Sequence, residues 1–269
     1  MIREPAVAGR FYPADPHELT HLINRFTAEF AAKPRVRATA CIVPHAGYVY
    51  SGHVAGAVLG ALDLPRTFVI LCPRHYPQGQ ALAILSEGAW RTPLGEAQID
   101  AELAAELKRA CGLLREDAVA HQHEHSLEVQ LPFLQRLKGD FRFVPIALGT
   151  DRFHSFEQLG TAIADVLARH MQPALLIATS DMNHYEPDDI TRVKDRKAIE
   201  RILALDPRGL YDTVRNEGIS MCGYGPAVTM LIAAKQMGAT SAELVRYATS
   251  GEVSGDRNEV VGYAGIIVR

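Results

Sequence analysis

Several things are scarce in this chain, and each scarcity narrows its reading. No stretch approaches the roughly 18 uninterrupted apolar residues of a membrane span. The opening MIREPAVAGRFYP lacks the apolar core of a secretory signal. Long basic runs are missing and the formal net charge is −3, which leaves no electrostatic footprint for nucleic acid or an anionic membrane. Only four cysteines occur, at 41, 72, 111 and 222, and none forms a CxxC pair. That argues against a disulfide framework or a four-cysteine zinc module and fits a reducing compartment. The GxSxG elbow, the GxxxxGK[ST] loop and the GxGxxG fingerprint are also absent, so serine hydrolases, P-loop NTPases and Rossmann dehydrogenases lack their defining feature. The expectation is a cytoplasmic protein with no nucleic-acid or membrane partner.

What is present points to an α/β fold. With 269 residues, 48% of them hydrophobic and 22% charged, the chain can bury a substantial core as one domain over residues 1–269. Short apolar runs at 38–43, 67–72, 141–148, 174–179 and 260–268 read as strands. Between them, 51–62, 100–110, 124–138, 155–170, 188–204 and 225–238 have the length and spacing of helices. This alternation predicts a central, largely parallel or mixed sheet flanked by helices.

In such sheets ligand sites form beyond the carboxyl ends of strands. His45, His75 and the Ser180, Asp181 and His184 group each follow a predicted strand by a few residues. Cys222 lies in MCGYGP, a turn leading into a helix whose N-terminus is expected to favour the thiolate. His45, His75 and Cys222 together read as a metal site, and imidazole with thiolate suits iron, copper or zinc rather than magnesium. His184 has the pKa range for proton exchange at neutral pH. Asp181 is placed either to orient His184 or a ligating imidazole, or to cap the following turn.

The run His121-Gln122-His123-Glu124-His125-Ser126-Leu127-Glu128 is not HExxH, because position 127 is leucine. His121 and His123 read as surface residues. His125 and Glu128 share a helical face at i and i+3, from which they either reach the cleft or anchor the segment.

Six segments occur in one order: REPAVAGRFYPADP, PHAGYVYSGHVAG, EHSLEVQLPFL, TSDMNHY, MCGYGPA and VSGDRNEVVGYAGIIV. From Arg3 to Val268 the chain resembles the MEMO family, whose bacterial and archaeal members are called AmmeMemoRadiSam system protein B. The resemblance implies a fold similar to class III extradiol dioxygenases (LigB-like). It implies His45, His75 and Cys222 as ligands of one transition-metal ion, iron(II) or copper, with zinc as a further option. It makes His184 similar to the dioxygenase histidine that handles the catechol proton, and matches His125 and Glu128 to the family's EHSLEVQLP. Where many relatives carry a Ser-His-His-like sequence, this chain has Pro73-Arg74-His75-Tyr76, and an arginine beside a metal must point away or bind an anion.

Two functions follow from the resemblance. One is a metal-dependent oxidoreductase or redox and metal-handling protein acting on a small molecule or peptide. Here Cys222 replaces the carboxylate of the two-histidine, one-carboxylate set, preserving formal charge but adding an oxidisable sulfur. The other is a non-enzymatic adaptor that binds a protein or peptide in the old cleft. The implied partners are a radical-SAM protein and the third protein of the AmmeMemoRadiSam system.

Overall fold

The computed structural model describes residues 1–269. Twelve strands form a mixed sheet: β1 (Ile2–Arg3), β2 (Ala40–Val43), β3 (Thr67–Pro73), β4 (Leu82–Ile84), β5 (Ala89–Thr92), β6 (Gly95–Ile99), β7 (Arg115–Glu116), β8 (Arg142–Leu148), β9 (Ala174–Thr179), β10 (His184–Glu186), β11 (Ala242–Thr249) and β12 (Val260–Val268). Their order is β1-β5-β6-β8-β3-β9-β2-β12-β10, with β11 also on β12 and β4 bridging β7 and β8. The ladder β8-β3-β9-β2 is parallel, as the apolar runs predicted. β12 then lies antiparallel on β2, so it begins at the edge where the parallel strands end.

Parallel strands are covered on both faces, which is why these runs carry almost no polar residues. Alternate side chains feed two cores. Ala40, Ile42, Val69, Leu71, Leu176 and Ala178 enter one cluster. Cys41, Val43, Phe68, Ile70, Cys72 and Ile177 enter the other. The helices are α1 (Pro16–Thr27), α2 (Tyr48–Ala61), α3 (Ala101–Ala110), α4 (Val119–Gln122), α5 (Leu131–Lys138), α6 (Phe153–Leu167), α7 (Asp188–Leu203), α8 (Pro207–Asn216), α9 (Tyr224–Gln236) and α10 (Gly251–Ser254). α1, α2 and α5 pack on one face, and α3, α6, α8 and α9 on the other. None of the helices is long and apolar enough to cross a membrane.

Five predicted helices match within a few residues. The sixth, 124–138, does not: Glu124–Leu127 is irregular, Glu128–Gln130 is a 3₁₀ turn, and only Leu131–Lys138 is α-helical. The physical reason is that the buried Glu124 carboxylate bonds the Ser126 amide and hydroxyl, an alternative to helical pairing. Sequence reading passed over α1, although Asp15 accepts from the amides of His17 and Glu18 and Pro16 stands at its start, a regular N-terminal signature.

Candidate metal centre

Three parallel strands deliver the site. β2 stops at Pro44, which has no amide for the ladder; His45 follows, and Gly47 starts α2. β3 stops at Pro73, and His75 lies two residues beyond. β9 ends at Thr179, followed by Asp181 and by His184 at the start of β10. Cys222 arrives from the opposite direction, just before the Gly223 cap of α9. Gly223 must be small, because a Cβ there would strike the Thr179 carbonyl and the Ser180 side chain.

These residues line a cleft of about 610 Å³ with Phe11, His125, Ser220, Val261 and Tyr263. His45, His75 and His125 each direct a ring nitrogen to a common place, the three atoms lying within 4.8 Å of one another. Cys222 Sγ is 3.2 Å from His45 Nε2. His45 and His75 therefore share one cluster with His125, which excludes Cys222, although Cys222 lies against His45. His125 reaches it from the irregular stretch after α4 rather than from a helix face, and its ring stacks on His75 with centroids 4.7 Å apart.

The protonation states favour ligation. Burial, reinforced by the other histidines, drives His45 well below the ordinary range, and burial takes His125 down to about 4. Both rings are neutral at pH 7, as ligands must be. His45 Nδ1 is buried and has no hydrogen-bond partner. Three imidazoles with a thiol beside His45 make a donor set that fits a transition metal. Burial followed by the Asp181 charge pushes the Cys222 thiol up, against the expectation that the helix terminus would favour thiolate. A bound cation would supply the charge that favours the Cys222 thiolate.

His75 is oriented by Glu124, a residue the sequence reading left without a role. Glu124 Oε1 lies 2.9 Å from His75 Nδ1 and Oε2 accepts the His75 amide at 2.7 Å. Because a carboxylate only accepts, Nδ1 carries the proton and Nε2 is left free for a metal. The signal was present in the sequence: a ligating imidazole wants a carboxylate on its other nitrogen, and an acidic residue stood beside His125.

Asp181 does not touch His184. Its Oδ1 accepts the amides of His45 at 2.8 Å and Ala46 at 3.3 Å, with Oδ2 4.0 Å from His45 Nε2, so of the readings left open it serves the His45 imidazole's loop rather than capping the turn that follows it. Burial raises its carboxyl to about 6, despite those two amides and His75. His184 donates Nδ1–H to the Ser220 carbonyl at 2.9 Å, and burial keeps its pKa below the ordinary value. The neutral ring therefore has its lone pair on Nε2.

Glu128 is turned away from the cleft. It accepts from Arg3 Nη1 at 2.7 Å, Tyr12 Oη at 2.7 Å, Ala6 N at 2.8 Å and Val7 N at 3.1 Å. The anchoring alternative holds for it. His121 is not a surface residue: it is fully buried edge-on to Trp90, because Arg3 binds its carbonyl and draws the segment inward, whereas His123 is exposed as expected. Arg74 Nη1 binds the carbonyls of Gly79 and Gln80, which pins that turn and directs the guanidinium to them.

Fold and site define a class: a mixed-sheet α/β protein with a histidine-rich cleft at the strand ends. The chain belongs to the MEMO family. A family model described as Memo-like protein matches residues 3–267. MEMO1 family protein MK0963 of Methanopyrus kandleri is 47% identical, covering 100% of this chain and 99% of its own. MEMO1 family protein MTH_45 of Methanothermobacter thermautotrophicus is 42% identical, covering 98% and 99%. The fold is similar to that of the uncharacterized protein JW3007 of Escherichia coli K12, with a TM-score of 0.60 at 12% identity over 86% of this chain and 100% of that one.

Proposed function

We propose that this MEMO family protein binds one transition-metal ion in its cleft and uses it in redox chemistry on a small molecule or peptide. His45, His75 and Cys222 are the proposed ligands, with His125 a further donor at the same place. The observation that carries this reading is the convergence of three imidazoles, one ring nitrogen of each within 4.8 Å of the others. Iron(II) or copper fits both the donor set and a redox role; zinc fits the donors alone. When bound, such an ion would supply a redox-active Lewis-acid centre. His184, with Nδ1–H held by the Ser220 carbonyl, would accept a proton from substrate at Nε2, while Asp181 and Glu124 hold His45 and His75 in place.

A second reading, a protein- or peptide-binding adaptor, is favoured by Tyr185. This aromatic is 72% exposed at the cleft rim and has a left-handed φ of 58°, a strained setting often found where ligands are gripped. Its proposed partners are the radical-SAM protein and the third protein of the AmmeMemoRadiSam system.

The deciding experiment is elemental analysis of protein purified without chelator, followed by oxygen-consumption assays with added reductant. The expected result is one iron or copper ion per chain and metal-dependent oxygen uptake. Metal-free protein that cannot be loaded with either ion overturns the proposal. Partner capture that survives complete metal removal would favour the adaptor.

A further inference from the structure

Asn183 is nearly fully buried beside the cleft, and both ends of its amide are engaged. Its Nδ2 donates to Glu186 Oε2 at 2.6 Å and Thr191 Oγ1 at 3.3 Å. Its Oδ1 accepts both the amide and the hydroxyl of Ser220 at 3.1 Å. The backbone amide donates to Asp195 Oδ1 at 2.8 Å, and the carbonyl accepts from Gly262. The amide orientation is fixed, since only oxygen can meet the Ser220 N–H.

Ser220 passes this order to His184. Its Oγ accepts the His184 amide at 2.7 Å and its carbonyl accepts His184 Nδ1–H at 2.9 Å. Ser220 belongs to no helix or strand, and two residues before it Gly218 takes a left-handed φ of 59°. Without Asn183, nothing among its backbone bonds would hold the Ser220 carbonyl against the imidazole.

We infer that Asn183 is a positioning residue, which through Ser220 locks His184 in the Nδ1–H form and presents Nε2 to the cleft. The inference rests on reading His184 as the proton-accepting group. Asn183 also ties the start of β10, which carries His184, to the turn that carries Cys222, so one amide sets both.

The test is nitrogen-15 NMR of labelled histidines in the full chain, with zinc(II) added so that any bound metal is diamagnetic. Wild type should show His184 as the Nδ1–H form. Asn183→Ala and Ser220→Ala should lower the Nδ1–H to Nε2–H ratio about fivefold, the scale of one net hydrogen bond. Ser220→Thr, which keeps the hydroxyl, should restore it. If Asn183→Ala does not fold, the Ser220 pair decides alone. An unchanged ratio in the folded Ala variants overturns the positioning role, whereas wild-type His184 in the Nε2–H form overturns the reading of His184 itself.

Discussion

Glu124 grips His75 twice, through the ring at 2.9 Å and through the backbone amide at 2.7 Å. Burial pushes the Glu124 carboxyl up, but the bonds and charge of His75, with help from Ser126, win and hold it at about 2. His75 moves the other way: burial lowers it, and Glu124 raises it above the ordinary value.

Replacing Glu124 by Gln turns an acceptor towards His75 into a donor on one side. Metal affinity, measured by competition with a chromophoric chelator, should fall about 10–100-fold, the usual effect of losing a partner behind a ligating histidine. Because the folded pKa is depressed, the wild-type carboxylate stabilises above the ordinary carboxylate range and loses this as pH falls towards 2. Urea melts between pH 4.5 and 2 should therefore be steeper in wild type than in the variant. Unchanged affinity would mean that His75 is no ligand.

Cys222 and His125 can be separated by single substitutions. His45→Ala, His75→Ala and Cys222→Ala should each remove most bound metal, and His125→Ala should remove less. Cys222→Glu keeps the formal charge and should shift preference from Cu(I) to Fe(II) and reduce sensitivity to peroxide. Competition titrations read the preference directly, and a folded Glu variant with unaltered selectivity would remove Cys222 from the ligand set.

Arg3 and Glu128 form an ion pair with side-chain exposures of 7% and 0%. Arg3→Met strands a buried carboxylate that keeps only Tyr12 and two amides. The expected loss is about 3 kcal/mol, roughly 6–10 °C of Tm. A drop under 2 °C, a value about threefold below the range, would show that water replaces the guanidinium.

Asp195 is buried against the Asn183 amide and the Tyr247 hydroxyl, which donates at 2.7 Å. Burial lifts its carboxyl to about 7, outweighing those two donors. The folded chain then holds a proton that the unfolded chain releases near pH 4, so stability should decline as pH rises from about 4 to 7. Asp195→Asn should flatten that slope, with a gain of about 2–4 kcal/mol at pH 8 offset by any strain at Tyr247. Parallel pH profiles for both proteins would refute this.

Strand runs were the most legible part of the fold, because burial on both faces writes itself as unbroken apolar sequence. β9 and β12 match their predicted limits residue for residue. The segment around His125 was opaque for a physical reason. Its backbone follows long-range bonds from Arg3 to the His121 and Glu124 carbonyls, 118 and 121 residues distant, which no local pattern reveals. His45, His75 and Cys222 could be picked out by their turn settings; the structure groups His45 and His75 with His125 and sets Cys222 beside His45. The carboxylates could be seen with their roles left open: Asp181 serves the His45 loop rather than His184, and Glu128 takes the anchoring role on the N-terminal segment.

The pairing of β2 with β9 sets Val43 opposite Thr179, and His45 and Asp181 each lie two residues further on. The carboxylate is therefore brought opposite the His45 amide by counting along two strands from a shared rung, and the hydrogen bond between the loops follows from that register. A slip of one residue in that ladder would invert every side chain of β2 and carry the imidazole out of the cluster. Insertions or deletions within the fully buried Ala40–Val43 should thus abolish metal binding even in chains that still form a sheet. The central ladder acts as the ruler by which this protein measures the spacing of its own donor atoms.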